Sequence, residues 1–146
     1  MPQDEWEIGD AGGKTGEDYL TDDLTQQALK YLDDQKNQKD QPFFLYFSHF
    51  AVHTPLQSPK EDSIYFANKE TKGWNGHDNP NYAGMIRGLD NSVGKIRDKL
   101  AETGLEDNTV IIFFSDNGGL DSRYTKSEIS TNNQPFRGGK AHLTEG

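Results

Sequence analysis

The chain has 146 residues, which is enough for one domain, but only 32% of them are hydrophobic and its mean hydropathy is -0.92. The apolar residues are crowded into a few runs, so we expect part of a larger domain. A formal net charge of -9 disfavours nucleic-acid binding, because clustered Lys and Arg supply most of that affinity. The absence of cysteine excludes disulfides and thiolate zinc sites within this sequence. It contains neither an apolar run of about 18 residues nor a signal-peptide pattern.

Residues 1–20 are rich in glycine and acidic side chains, which predicts a loop or a disordered stretch. The Gly-Lys-Thr at 13–15 lacks the spacing of a phosphate-binding loop, so a plain loop is favoured there. A helix is predicted from Thr21, which can cap it, with Asp22 and Asp23 in the positively polarised first turn. The expected apolar face consists of Leu24, Ala28, Tyr31 and Leu32.

Two continuous apolar runs, residues 43–47 and 109–114, predict buried strands of an α/β fold. A helix between two such strands makes them a right-handed βαβ crossover with parallel strands. Ligands of open α/β sheets sit outside the carboxyl ends of the strands. The residues that follow Phe47 and Phe114 are therefore the expected place for chemistry.

The connection between these runs begins with a long loop at 48–78, containing a short helix around 61–67. Asn79 is predicted to cap a second long helix with Pro80 in its first turn, and Gly104 to end it. Its apolar positions are spaced as on a core-facing stripe: Tyr82, Ile86, Leu89, Val93, Ile96 and Leu100.

Four polar residues are candidates for chemistry, three of them after the predicted strands and one in the C-terminal tail. Asp116 and Asn117 offer oxygen ligands that suit Ca²⁺ or Mg²⁺, although an Asp-Asn-Gly-Gly sequence is also an ordinary turn. His53, in a loop with Thr-Pro after it, can donate a proton or a hydrogen bond to an anionic ligand. Lys140 follows two glycines that allow a tight turn, and its ammonium suits a tetrahedral oxyanion.

Two further constellations are weaker. The histidines at 49 and 53 are four residues apart, but the glutamate of a helical zinc motif is missing and Pro55 closes the segment. A Ser-His-Asp triad could combine Ser48 or Ser115 with His53 and Asp116, yet no G-x-S-x-G turn is present. Both are disfavoured.

Taken in order, residues 41–146 resemble the sulfatase family, the sulfuric ester hydrolases that share a core with alkaline phosphatases. Four motifs with the family's order and spacing carry the resemblance: 42–47 with 53–55, 82–94, 108–119, and 133–146. The resemblance implies an α/β fold, a partial alkaline-phosphatase-like sandwich with a parallel βαβ unit. It also implies that residues 21–146 are the central part of a catalytic domain truncated at both ends.

By this resemblance Asp116 and Asn117 are ligands of an active-site calcium ion, with Mg²⁺ as the alternative cation. Lys140 contacts the sulfate, and His53 hydrogen-bonds it or protonates the departing alcohol. The family's formylglycine nucleophile arises from Cys or Ser in a C/S-x-P-x-R context, which this sequence lacks. The nucleophile is therefore expected in a longer parent, and the isolated chain should be inactive.

The resemblance also sets expectations for partners and location. The substrate would be a sulfated small molecule or a sulfated glycan, in a periplasmic, secreted or lysosomal compartment. Neither nucleic acid nor a membrane-spanning segment is expected, and the oligomeric state stays open. The alternatives are a phosphatase or phosphonate hydrolase on the related core, or a non-catalytic relative that binds calcium or glycans.

Overall fold

The computed structural model describes residues 19–38, 40–71, 73–121 and 131–146. Most of the loop predicted at 1–20 lies outside these residues. The described part has three α-helices, each close to its predicted position: α1 (Leu20–Gln35), α2 (Lys60–Ala67) and α3 (Pro80–Thr103). Short 3₁₀ turns lie before α3 at Trp74–Gly76 and after it at Glu106–Asn108. Among the described helices, none combines the length and the apolar character needed to cross a membrane.

Both ends of α3 are those that the sequence predicts. The Asn79 side-chain oxygen accepts a hydrogen bond from the Tyr82 backbone N–H at 2.9 Å, and Pro80 occupies the first turn, where its missing N–H costs nothing. At the other end Gly104 adopts the left-handed conformation, with φ 67° and ψ 31°. Glycine adopts this conformation without a steric penalty, so the helix ends there.

The predicted cap of α1 is wrong. The helix begins at Leu20, Tyr19 occupies the cap position without a capping side chain, and Thr21 is buried within the first turn. Packing against the rest of the protein fixes Thr21, and its carbonyl accepts a hydrogen bond from the Thr25 hydroxyl. Asp22 and Asp23 do lie in the first turn, where the helix dipole favours negative charge.

Helix α3 packs against α1 and α2 through small residues. Gly84, Gly88 and Ser92 are all buried. A methyl group on Gly88 would stand 3.0 Å from the Tyr19 ring, and one on Gly84 would stand 2.5 Å from the Ser58 hydroxyl oxygen. The close approach of these elements therefore requires residues with little or no side chain at these positions.

The apolar stripe predicted for α3 lies beside this small-residue face. Leu100 is buried and joins Leu32 and Leu105 in the core cluster, against which Ile96 packs. Ile86 is 46% exposed, so its assignment to the core is wrong. The spacing of Ile86 fits the stripe, but spacing reports only the face of the helix on which a residue lies and not what covers it.

The two predicted strands are extended segments, and no paired strand occurs within the described residues. Phe43 and Leu45 pack against the core cluster, whereas Phe44 and Tyr46 are 87% and 74% exposed. In the second segment all five apolar side chains from 110 to 114 are at least half exposed. A strand is defined by hydrogen bonds to a partner strand, so the parallel sheet stays a prediction.

Candidate functional site

A cleft of ≈ 2020 Å³ runs between the two extended segments. Half-buried apolar side chains of α3 form its floor. Four polar residues also line it: His53, Asp116 and Asn117 after the two segments, and Lys140 from a later loop. The candidates predicted from the sequence therefore line one cleft, and their roles stay predictions.

His53 is exposed in the turn that follows the first segment. Its backbone N–H donates to the Phe50 carbonyl at 2.8 Å, which closes the turn. Its side-chain Nδ1 lies 2.8 Å from the Thr54 carbonyl oxygen, and because a carbonyl only accepts, Nδ1 carries the proton. This contact fixes the tautomer and leaves Nε2 as the nitrogen available to a ligand.

Asp116 and Asn117 are exposed in the turn that follows the second segment. The Ser115 hydroxyl donates to the Asn117 carbonyl at 2.7 Å and braces this turn. The Asn117 amide nitrogen donates to the Gly118 carbonyl at 2.9 Å, so its side-chain oxygen is left to accept or to coordinate. A carboxylate and an amide oxygen suit a hard cation such as Ca²⁺.

These two oxygens are too few to hold calcium alone, since it takes about six to eight ligands. In the described ranges no cluster of three or more His, Cys, Asp or Glu side chains could hold a metal ion. The donor type of Asp116 and Asn117 therefore fits a hard cation, and further ligands must come from other groups.

The loop that carries Lys140, residues 133–146, is called the lysine loop. It is joined by a hydrogen bond to the residues that follow the second segment. The Lys140 backbone N–H donates to the Gly119 carbonyl at 2.9 Å. Gly139 is buried against the same carbonyl, and a methyl group there would collide with it. Gly138 has φ +75°, a left-handed conformation that glycine adopts freely. Both glycines are thus needed to bring Lys140 to the cleft.

Asn133 connects the two parts of the site, a role that the sequence did not reveal. Its side-chain oxygen accepts from the Gly119 N–H at 2.9 Å, and its side-chain nitrogen donates to the Gly119 carbonyl at 2.9 Å. We call this pair of bonds the Asn133 clamp. The two residues are 14 positions apart, and apart from its place in a family-like motif Asn133 carried no signal of this contact.

The end of the long loop supports the segment that contains the clamp. The Asn132 backbone N–H donates to His77 Nε2 at 2.7 Å, which makes this nitrogen an acceptor. The Asn75 side-chain amide donates to the Gln134 side-chain oxygen at 2.8 Å. The long loop therefore supports residues 132–134 through two hydrogen bonds.

An ion pair closes the lysine loop on its outer side. Arg137 Nε lies 3.0 Å from Glu145 Oε1, and a second guanidinium nitrogen lies 3.3 Å from Oε2. The hydrogen bond from Arg137 lowers the pKa of the Glu145 carboxyl below its ordinary value. The Thr144 hydroxyl and the Gly146 N–H both donate to the Arg137 carbonyl. These two hydrogen bonds join the same two parts of the loop as the ion pair.

Oxygen donors for a cation, an imidazole and an ammonium at one cleft are groups that enzymes acting on oxyanion esters use. A sequence model of the family described as Sulfatase matches residues 2–146, and the chain belongs to this family. The resemblance noted in the sequence is thereby confirmed.

Two curated relatives illustrate the similarity. The chain is 34% identical over 133 residues to N-acetylgalactosamine-6-sulfatase of Mus musculus, which covers 91% of this chain and 23% of that protein. It is 36% identical over 131 residues to steryl-sulfatase of Homo sapiens, covering 88% of this chain and 20% of that protein. The chain thus spans less than a quarter of the length of these relatives.

Solved structures agree. The crystal structure of Ps i-CgsB in complex with k-i-k-neocarrahexaose matches with a TM-score of 0.73 and 40% identity, over 88% of this chain and 26% of that one. A second crystal structure, of Ps i-CgsB, matches with a TM-score of 0.69. At this identity the likeness supports family membership as well as the fold.

Proposed function

We propose that this chain is the central part of the catalytic domain of a sulfuric ester hydrolase whose substrate is a sulfated small molecule or a sulfated glycan. The observation that carries the proposal is that His53, Asp116, Asn117 and Lys140 all line one cleft of a chain of the sulfatase family. The similar proteins include a steryl-sulfatase and an N-acetylgalactosamine-6-sulfatase. Their names support a sulfate ester as the substrate class but do not select one ester.

Two side chains of this chain act on the ester. Cleavage increases negative charge on the sulfuryl oxygens, where the Lys140 ammonium stabilises it as a compact point charge. Charge also develops on the leaving oxygen. His53 binds there through Nε2, the nitrogen that its bond to the Thr54 carbonyl leaves accessible, and in its protonated form donates a proton to it.

Asp116 and Asn117 would hold Ca²⁺, with Mg²⁺ as the alternative, through one carboxylate and one amide oxygen. When bound, the cation supplies Lewis-acid stabilisation of a sulfuryl oxygen. The nucleophile of the proposed reaction is a formylglycine, which this sequence does not encode, so a different segment of the protein contributes it. The remaining cation ligands have the same origin.

The proposed fold is an alkaline-phosphatase-like sandwich in which residues 43–47 and 109–114 are parallel strands. Two observations support it. Alternate side chains of the first segment, Phe44 and Tyr46, are exposed although they are large and aromatic. In addition, an open cleft separates the two segments. Further strands of the intact protein would cover these faces and pair with the backbone.

The test uses the intact protein with 4-nitrophenyl sulfate and 4-nitrophenyl phosphate as probes. We expect hydrolysis of the sulfate ester, and a loss of about 10²- to 10³-fold in kcat/KM for Lys140→Ala, the size typical for removing one oxyanion-stabilising group. Lys30→Ala, which removes an exposed lysine of α1, is the matched control and should leave kcat/KM unchanged. Hydrolysis of the phosphate ester alone would replace the proposal with the phosphatase alternative.

The cation is tested separately by calorimetric titration with calcium. Asp116→Ala should weaken calcium binding, and chelation should abolish turnover until calcium is restored. If calcium binds but neither ester is hydrolysed, the protein is a binding relative and the catalytic proposal fails.

A further inference from the structure

A buried row of polar side chains joins the first extended segment to two helices. Thr25 of α1 is 0% exposed and Ser92 of α3 is 2% exposed. The Thr25 hydroxyl oxygen lies 2.6 Å from the Ser92 hydroxyl oxygen, which lies 3.2 Å from His49 Nε2. At its other end the row closes on the Thr21 carbonyl, 2.5 Å from the Thr25 hydroxyl.

The number of protons in this row fixes the direction of its bonds. There are three contacts, and each needs one proton between its heavy atoms. The two hydroxyl groups supply one proton each, and the Thr21 carbonyl supplies none. The third proton must therefore sit on His49 Nε2, which donates to Ser92; Ser92 donates to Thr25, and Thr25 donates to the carbonyl.

The opposite tautomer leaves one contact without a proton. Two oxygen atoms would then face each other in the buried row with no hydrogen between them. Such an arrangement costs more than an ordinary lost hydrogen bond, since burial removes the water that would satisfy either atom. His49 Nδ1 is also buried and has no partner among the described residues. Burial lowers the pKa of the His49 imidazole, in keeping with a neutral ring.

We infer that His49 is a positioning residue, held as the neutral Nε2–H tautomer, which anchors the exit of the first extended segment on Ser92 and thereby places His53. This inference rests on the proposed function of His53. It assigns no contact between His49 and the substrate. The imidazole of His49 acts only through the backbone that follows it.

The backbone connects the two histidines in one short step. Phe50 directly follows His49, and its carbonyl accepts the His53 N–H at 2.8 Å. The Phe47 ring packs against the His49 ring, with their centroids 4.2 Å apart, and restricts its rotation. A shift of His49 would therefore move the carbonyl on which the His53 turn closes.

The experiment compares three variants of the intact protein. His49→Phe keeps a ring to pack on Phe47 but removes the donor. His49→Gln keeps an N–H donor, and Ser92→Ala removes the acceptor. We expect kcat for a sulfate ester to fall about 10- to 100-fold in His49→Phe, the scale of a misplaced catalytic group, with KM nearly unchanged. His49→Gln should recover most of this loss.

A readout independent of activity is ¹⁵N NMR of histidine-labelled protein. We expect a protonated Nε2 and an unprotonated Nδ1 for His49, and a shifted His53 signal in both His49→Phe and Ser92→Ala. A protonated Nδ1, or an unchanged His53 signal in well-folded His49→Phe, would overturn the inference. If the NMR results are as expected but no sulfate ester is hydrolysed, the proposed function fails and the positioning of His53 by His49 stands.

Discussion

Replacing Asn133 with alanine should loosen the contact between the lysine loop and the turn that bears Asp116. The change removes both bonds of the Asn133 clamp. A neutral hydrogen bond contributes about 1 kcal/mol net, so the two together contribute about 2 kcal/mol. The Gly119 carbonyl keeps its bond from the Lys140 N–H, whereas the half-buried Gly119 N–H loses its acceptor. The local opening equilibrium should therefore rise about 30-fold, as about 2 kcal/mol implies.

Hydrogen exchange of the Gly119 and Lys140 amides in the intact protein measures this opening. We expect faster exchange at both amides in Asn133→Ala. Asn133→Asp should behave similarly, because it keeps the acceptor for the Gly119 N–H but places a second oxygen against the Gly119 carbonyl. Asn91→Ala, on the exposed surface of α3, is the control. Equal protection of both amides in Asn133→Ala and Asn91→Ala would refute the clamp.

Three further changes test the scaffold and the lysine loop. Arg87→Met should lower the free energy of unfolding in urea by about 1–3 kcal/mol, because it leaves the buried Asp62 carboxylate without the guanidinium 3.1 Å away. Arg137→Gln should raise the pKa of Glu145 toward its ordinary value, measured by carboxyl ¹³C NMR. Since Arg137 lowers this pKa in the folded protein, the stability from the pair is present above the ordinary glutamate pKa and is lost as the pH falls through the lowered one. Gly104→Ala should destabilise the protein by about 1 kcal/mol in thermal unfolding, since alanine is strained at φ 67°.

Two of these changes have a control variant, and the third has an outcome that would contradict it. Arg97→Met removes an exposed cation of α3 and should leave stability nearly unchanged; an equal loss in both arginine variants would contradict the role of Asp62. Gly94 lies inside α3 with open space around its Cα, so Gly94→Ala should stabilise the helix by about 0.5–1 kcal/mol. A destabilising Gly94→Ala would show that helix propensity does not govern α3. An unchanged Glu145 pKa in Arg137→Gln would remove the ion pair as the cause of its shift.

The sequence predicts a structural feature correctly where neighbouring residues alone determine that feature. Asn79 with Pro80 and the later Gly104 set the ends of α3, because capping and left-handed glycine involve only neighbouring residues. The predicted cap at Thr21 is wrong because Thr21 is buried inside the first turn, and burial depends on packing that a local pattern does not report.

Non-local contacts explain the rest. The apolar runs at 43–47 and 109–114 predict extended segments. Whether such segments pair into a sheet depends on partner strands, which composition does not reveal. The rule that ligands sit at strand ends directs attention to His53 and Asp116, which line one cleft, whereas Lys140 lines it from a loop that this rule does not cover. The Asn133 clamp and the row from His49 to Thr25 join residues 14 to 67 positions apart, so only the structure reveals them.

The uncovered segment at 109–114 has a consequence for folding in the cell. A flat apolar run with an unpaired backbone is a template for intermolecular β-pairing, and slow formation of a sheet prolongs that hazard. Charged residues stand at both of its ends, Asp107 before it and Asp116 after it. Such flanking charges suppress aggregation of nascent strands. We therefore expect the Asp116 carboxylate to protect the newly made chain from aggregation.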